Sequence, residues 1–180
     1  ICTPFTKALL EAIMRDNNFK TKNSIISITP NSTYKISDKI TVEFVHVTHS
    51  VPQSAIVVLH TPYGVVVYTD DFKLDLSPIL GKKTNTERLA EIGRGNVRCV
   101  VLDALYAKDS TKTASEAVAK ELLRDVMLGT DATGRAIVLT TFSSHLARLK
   151  SAIEFGRKLN RQIVFLGRSL VRYVKAGEVS

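Results

Sequence analysis

Ala55-Ile56-Val57-Val58-Leu59-His60-Thr61-Pro62-Tyr63-Gly64-Val65-Val66-Val67-Tyr68-Thr69-Asp70-Asp71 is the stretch on which the fold turns. Two runs dense in β-branched residues flank Pro62-Tyr63-Gly64, whose composition suits a tight turn, so strands over 55–61 and 64–69 are read as a hairpin. Upstream, 24–29 and 39–47 share that character and are predicted as strands. Before them, Thr3 and Pro4 start a helix, as N-cap and first helical residue. Ala8, Leu9, Ala12 and Ile13 form its apolar stripe, which runs to Asp16.

Downstream, a helix is predicted over 84–92 with Gly93 as its stop, followed by a buried-type strand over 97–102. The pattern then alternates: helix 113–128, strand 136–141, helix 144–159, strand 162–166 and a helix from Arg168. Strand and helix in turn imply βαβ units around a parallel sheet. The change of style falls at 107–113, and a domain boundary placed there divides 1–110 from 111–180.

With 44% hydrophobic residues in 180, the chain has material for one domain or parts of two. Its 25 Lys and Arg against 17 Asp and Glu leave a charge of +8, which draws polyanions such as RNA. The basic residues are spread rather than massed, so a merely soluble basic protein explains the charge equally well. Cys2 and Cys99 are too far apart for a CxxC metal site and too few for a disulfide framework, which suits a reducing, cytoplasmic setting. No apolar run reaches the roughly 18 residues of a membrane span. The opening Ile1-Cys2-Thr3-Pro4 and the closing Gly177-Glu178-Val179-Ser180 read as the ends of an internal excerpt.

Polar clusters stand where predicted strands end: His46-Val47-Thr48-His49-Ser50, Asp70-Asp71 and Asp103. Carboxyl ends of strands are where α/β proteins gather ligands and metals. His49 and Asp71 are the pair suited to zinc or manganese, since a carboxylate can bridge two ions. For an isolated HxxH and DD, an ordinary strand-end histidine and a turn aspartate is the better account. His46 lies three residues from His49 and so on the opposite strand face, which makes it a packing residue or a support to the ligands. His60 reads as a half-exposed strand residue. Asp103 either orients a ligand histidine or caps the following segment.

Thr140-Thr141-Phe142-Ser143-Ser144-His145 and Gly167-Arg168-Ser169 both stand at strand-to-helix junctions, with Arg148 one turn beyond the first. Hydroxyls, a histidine and free N–H groups there suit a phosphate. Ser143 or Ser144 as an N-cap explains the serines but leaves His145 unexplained.

Taken together, Val42 to Ser54, His60 to Gly64, Tyr68-Thr69-Asp70-Asp71-Phe72-Lys73-Leu74-Asp75, Thr140 to Lys150 and Val164 to Leu170 closely resemble the ribonuclease J family, and its archaeal branch in particular. The resemblance implies an α/β fold: part of a four-layer αββα metallo-β-lactamase domain, followed by the first part of an α/β β-CASP domain. It implies His49 as a ligand in the third metal motif, Asp71 as the metal-bridging aspartate and Asp103 as a supporting acid. Two divalent ions, Zn or Mn, would activate water against a phosphodiester. The substrate would be single-stranded RNA with a 5′-monophosphate, degraded 5′ to 3′ by a cytoplasmic enzyme that is a homodimer at full length. Ser144, His145, Arg168 and Ser169 would hold phosphate. The family has Gly where this chain has Asp70, a change that perturbs the turn or adds negative charge beside Asp71. Its HxHxDH motif and closing histidines fall outside these residues, so the 180 residues alone are expected to be inactive. An RNA endonuclease of the cleavage-factor type and a non-catalytic RNA-binding or assembly module remain the alternatives.

Overall fold

Strands β3 (Ala55–Thr61) and β4 (Gly64–Tyr68) pair antiparallel with Thr61 opposite Gly64, so the central hairpin folds as read. The computed structural model describes residues 1–179. Gly64 sits at φ +124°, and a Cβ there would lie 2.5 Å from Arg98 Cγ and 2.8 Å from the Asn96 carbonyl oxygen, so only glycine makes this turn without displacement.

The hairpin is the middle of a five-stranded sheet in the order β1-β2-β3-β4-β5, with β1 at Ser32–Lys35, β2 at Thr41–His46 and β5 at Val97–Val101. The first four strands are antiparallel; β5 is parallel to β4 and is reached through α2 (Thr86–Gly93), as a parallel pair requires a crossover. Val45, Val47, Ile56, Val58 and Val67 bury one face of the sheet against Ile92 and Leu89 of α2. Val42 to His46 of β2 are all buried, Glu43 among them. Its carboxylate accepts from Arg88 Nε at 2.6 Å, Arg88 Nη2 at 3.0 Å and His60 Nε2 at 2.7 Å. Led by Arg88, these bonds hold Glu43 below the ordinary carboxyl range against the upward pull of burial. His60, half-exposed as read, is thereby a hydrogen-bond partner of Glu43 across the sheet. His46 Nε2 donates to the Lys82 carbonyl at 2.9 Å, a packing role.

A second core joins α1 (Pro4–Asp16), α4 (Leu146–Lys158) and α5 (Arg168–Val179) through Phe5, Leu146, Leu149 and Ala176. Helix α3 (Glu116–Gly129) packs on α4. Helix α1, from the first predicted domain, thus shares its core with helices of the second.

Several predicted elements differ. Residues 24–29 form no strand beyond a single parallel bridge between Cys2 and Ser27; the strand that pairs with β2 is the polar Ser32–Lys35. β-branched richness misled there, because an edge strand is chosen by its pairing register and not by apolar content. The runs 136–141 and 162–166 carry no strand assignment. No β-ladder partner faces them among the described residues, and Val138, Val164 and Leu166 are exposed. The expected parallel sheet of the second half is therefore absent among the described residues. β5 is an edge strand exposed from Arg98 to Val101, not a buried one, because β4 alone pairs with it. Helix α3 begins at Glu116 instead of Thr113, since Ser115 is the N-cap and accepts from the Ala117 N–H.

Candidate functional site

Three strand ends set the floor of a cleft of about 720 Å3, lined by His49, Asp71 and Asp103 together with Ser144 and His145. Thr48 shapes it. Buried at the end of β2, it takes the Lys73 N–H on its carbonyl at 2.8 Å and bonds its hydroxyl to the Lys73 carbonyl, the Asp75 N–H and the Thr84 hydroxyl. The loop after β4 is thus tied to the loop after β2, which brings Asp71 and His49 to one cavity. Thr69 does the same for Asp103: its N–H donates to the Val101 carbonyl at 3.0 Å, and its hydroxyl oxygen accepts the Asp103 N–H at 3.3 Å.

His49 is exposed, its Nδ1 lies 3.2 Å from Ser50 Oγ, and its Nε2 has no partner among the described residues. The Asp71 carboxylate is also exposed and has no hydrogen bond or ion pair among the described residues. An unengaged imidazole nitrogen and carboxylate on one cleft are a donor set that suits a divalent ion. They are two ligands only: among the described residues no group of three or more His, Cys, Asp or Glu is placed to hold a metal. Asp103 Oδ1 accepts the Leu105 N–H at 3.0 Å, which is the capping arrangement. Asp70 stands at φ +52°, in the left-handed region that favours glycine.

Behind the ligand pair lies an ion network that sequence reasoning missed. Asp75, 5% exposed, accepts from Ser77 N–H at 2.9 Å, Ser115 Oγ at 2.6 Å and Glu116 N–H at 2.8 Å, with Lys73 Nζ at 3.9 Å. Burial raises the Asp75 carboxyl, but these donors together outweigh it and hold it below its usual range. The buried Glu116 carboxylate receives Arg148 Nε at 2.8 Å and Nη2 at 2.6 Å, and lies 3.4 Å from His145 Nε2 and 3.9 Å from Lys73 Nζ. The only hint in the sequence was the helix-start pattern around Ser115; that a loop acid 40 residues earlier would bind its N-cap is a tertiary fact.

The predicted phosphate residues divide. His145 itself, not Ser143 or Ser144, is the N-cap of α4: its Nδ1 accepts the Arg148 N–H at 3.4 Å, which leaves the ring proton on Nε2. Burial pushes its imidazole down, aided by Arg148 and Lys73 and opposed by Glu116, so it is neutral at pH 7. Ser144 and His145 line the cleft. Arg168 and Ser169 do not; they line a neighbouring cavity of about 480 Å3 with Thr140, Thr141 and Ser143.

Residues 133–180 match the family model for the β-CASP domain of ribonuclease J. Over 172 residues, or 95% of its length, the chain is 40% identical to a ribonuclease J of Pyrococcus abyssi, of which it spans 38%. To a ribonuclease J of Methanocaldococcus jannaschii it is 36% identical over 96% of its length, spanning 39% of that protein. The chain therefore covers about two fifths of these curated relatives. A crystal structure of a protein of unknown function from Enterococcus faecalis superposes with a TM-score of 0.65 at 18% identity, covering 97% of this chain and 43% of that one, which speaks for the fold alone.

Proposed function

We propose that the chain is part of a ribonuclease J and that the full-length protein is a metal-dependent ribonuclease degrading single-stranded RNA from a 5′-monophosphate end. What supports this most is the meeting of His49, Asp71 and Asp103, from three strand ends, with Ser144 and His145 of the β-CASP side in one cleft.

His49 and Asp71 would hold a divalent ion, Zn or Mn, together with ligands supplied by the rest of the full-length protein. Such an ion, when bound, lowers the pKa of water so that hydroxide is available at neutral pH to attack phosphorus. Asp71, free of other partners, contributes the negative charge that keeps cations at this wall. Lys112 also lines the cleft, and its charge attracts the phosphodiester chain. Ser144 contributes a hydroxyl, and His145 a neutral ring, at the α4 N-terminus, where N–H groups and the helix dipole favour an anion. The network of Asp75, Glu116 and Arg148 holds that terminus against the strand ends. The same reading makes the enzyme cytoplasmic and dimeric.

The test uses full-length protein and a labelled RNA bearing either a 5′-monophosphate or a 5′-hydroxyl, with manganese, with zinc and with chelator. Mononucleotides released from the phosphorylated end, and lost with chelator, are expected. Internal cuts insensitive to the 5′ group would assign the endonuclease instead, and binding without cleavage under any metal would assign a non-catalytic module. Asp71→Ala should lower kcat by at least about 100-fold, the scale of losing one essential electrostatic group.

A further inference from the structure

A groove of about 870 Å3 runs between α1 and α5, remote from the ligand pair, and carries Arg15, Arg168, Arg172 and Lys175 against the single carboxylate of Asp16. Arg172 is occupied: its Nε and Nη2 donate to Asp16 at 3.1 and 2.5 Å. That pair neutralises the one acid. Arg15, Arg168 and Lys175 remain exposed and unpaired among the described residues.

Their placement is ordered. Positions 168, 172 and 175 are spaced i, i+4 and i+7, so they share one face of α5, spread over about 10 Å at 1.5 Å per residue. Ala8, Ala12, Val171 and Ala176 form a small apolar floor that keeps the groove open, and no aromatic ring lines it. Cations without a stacking platform read backbone charge and not bases.

Arg168 lines both the groove and the 480 Å3 cavity, and Ser143 of that cavity precedes Ser144 of the cleft. We propose that the α1/α5 groove is a second binding site for single-stranded RNA, a sequence-independent track for phosphates lying away from the cleavage point. The identity of the polyanion as RNA rests on the ribonuclease reading.

The experiment compares wild-type full-length protein with Arg15→Glu/Lys175→Glu, measuring anisotropy of oligouridylates about 4 and about 30 nucleotides long, within and well beyond one site size, in chelator. Two lost contacts should reduce the slope of log affinity against log salt by about 1.4 for the long RNA, at about 0.7 per phosphate. Affinity for the long RNA should fall at least about 10-fold at low salt, while affinity for the short RNA and its turnover with metal stay within twofold. Arg15→Gln/Lys175→Gln, with an unchanged thermal midpoint, should show the same slope change and guards against misfolding.

An unchanged slope overturns the proposal. So does an equal loss in the control Lys20→Glu/Lys22→Glu, which would reduce the effect to net charge, or a loss confined to anionic phospholipid vesicles, which would make the groove a lipid contact. Because binding is read in chelator, absent cleavage would count against the ribonuclease reading and leave the groove result standing.

Discussion

Removing the Asp75 carboxylate should unfasten the start of α3 from the loop after β4. Asp75→Ala strands the N–H groups of Ser77 and Glu116 and the Ser115 hydroxyl, and leaves Lys73 facing Glu116 alone. Each bond to a charged acceptor is worth about 1.5–3 kcal/mol, so three taken separately would total about 5–9 kcal/mol. The true loss is smaller, because the Ser115 hydroxyl keeps the Ser77 carbonyl as acceptor at 3.1 Å and neighbours in one network are not additive. Breaking a buried charged network from one side costs about 3–5 kcal/mol, and that is the magnitude expected.

Asp75→Asn retains an acceptor oxygen without charge and should lose about half as much. The carboxyl is depressed in the folded state, so its contribution is present above the unfolded pKa, about 3.9, and is lost as pH falls through the lower folded value. The stability gap between wild type and Asp75→Asn should therefore be constant near neutrality and close on acidification below about pH 4. Thermal and urea unfolding of the full-length protein between neutral and acid pH measure both. A loss for Asp75→Ala below about 1 kcal/mol, or a gap to Asp75→Asn that does not close in acid, would refute the reasoning, since neither fits a buried charged acceptor of three donors.

Asp70→Gly should stabilise the protein by about 0.5–1 kcal/mol, because an L residue at φ +52° bears a left-handed strain that glycine does not. A lowered melting temperature would contradict it. Gly64→Ala should cost at least about 1–3 kcal/mol, from backbone strain at φ +124° and from the Cβ meeting Arg98 Cγ and the Asn96 carbonyl. Circular dichroism melts decide, and a neutral result would mean that the turn relaxes freely.

Much of the β-sheet half was legible because its signals are local. The hairpin about Pro62-Tyr63, the helix start at Thr3-Pro4 and the run of β2 each follow from residue type and period. Legibility failed where the outcome depended on pairing. Ser32–Lys35 is polar yet joins the sheet, whereas the apolar runs 136–141 and 162–166 pair with nothing among the described residues. Propensity cannot say whether a ladder partner will be present. The site divides in the same way: His49, Asp71 and Asp103 were identifiable as ligand-type residues at strand ends, but Asp75 and Glu116 sit in a loop and a first helical turn that look solvated in one dimension.

By itself, the order of residues determined which segments become strands and helices wherever the period is strong, and which side chains could ligate or hold phosphate, since both are properties of short windows. Only the tertiary structure decided that Thr48 and Thr69 draw three strand ends to one cleft, that His145 caps α4 beside a buried Glu116, and that Arg168 faces a separate basic groove. Those outcomes rest on contacts between residues 25 to 156 positions apart, whose energies exist only after the chain has closed upon itself.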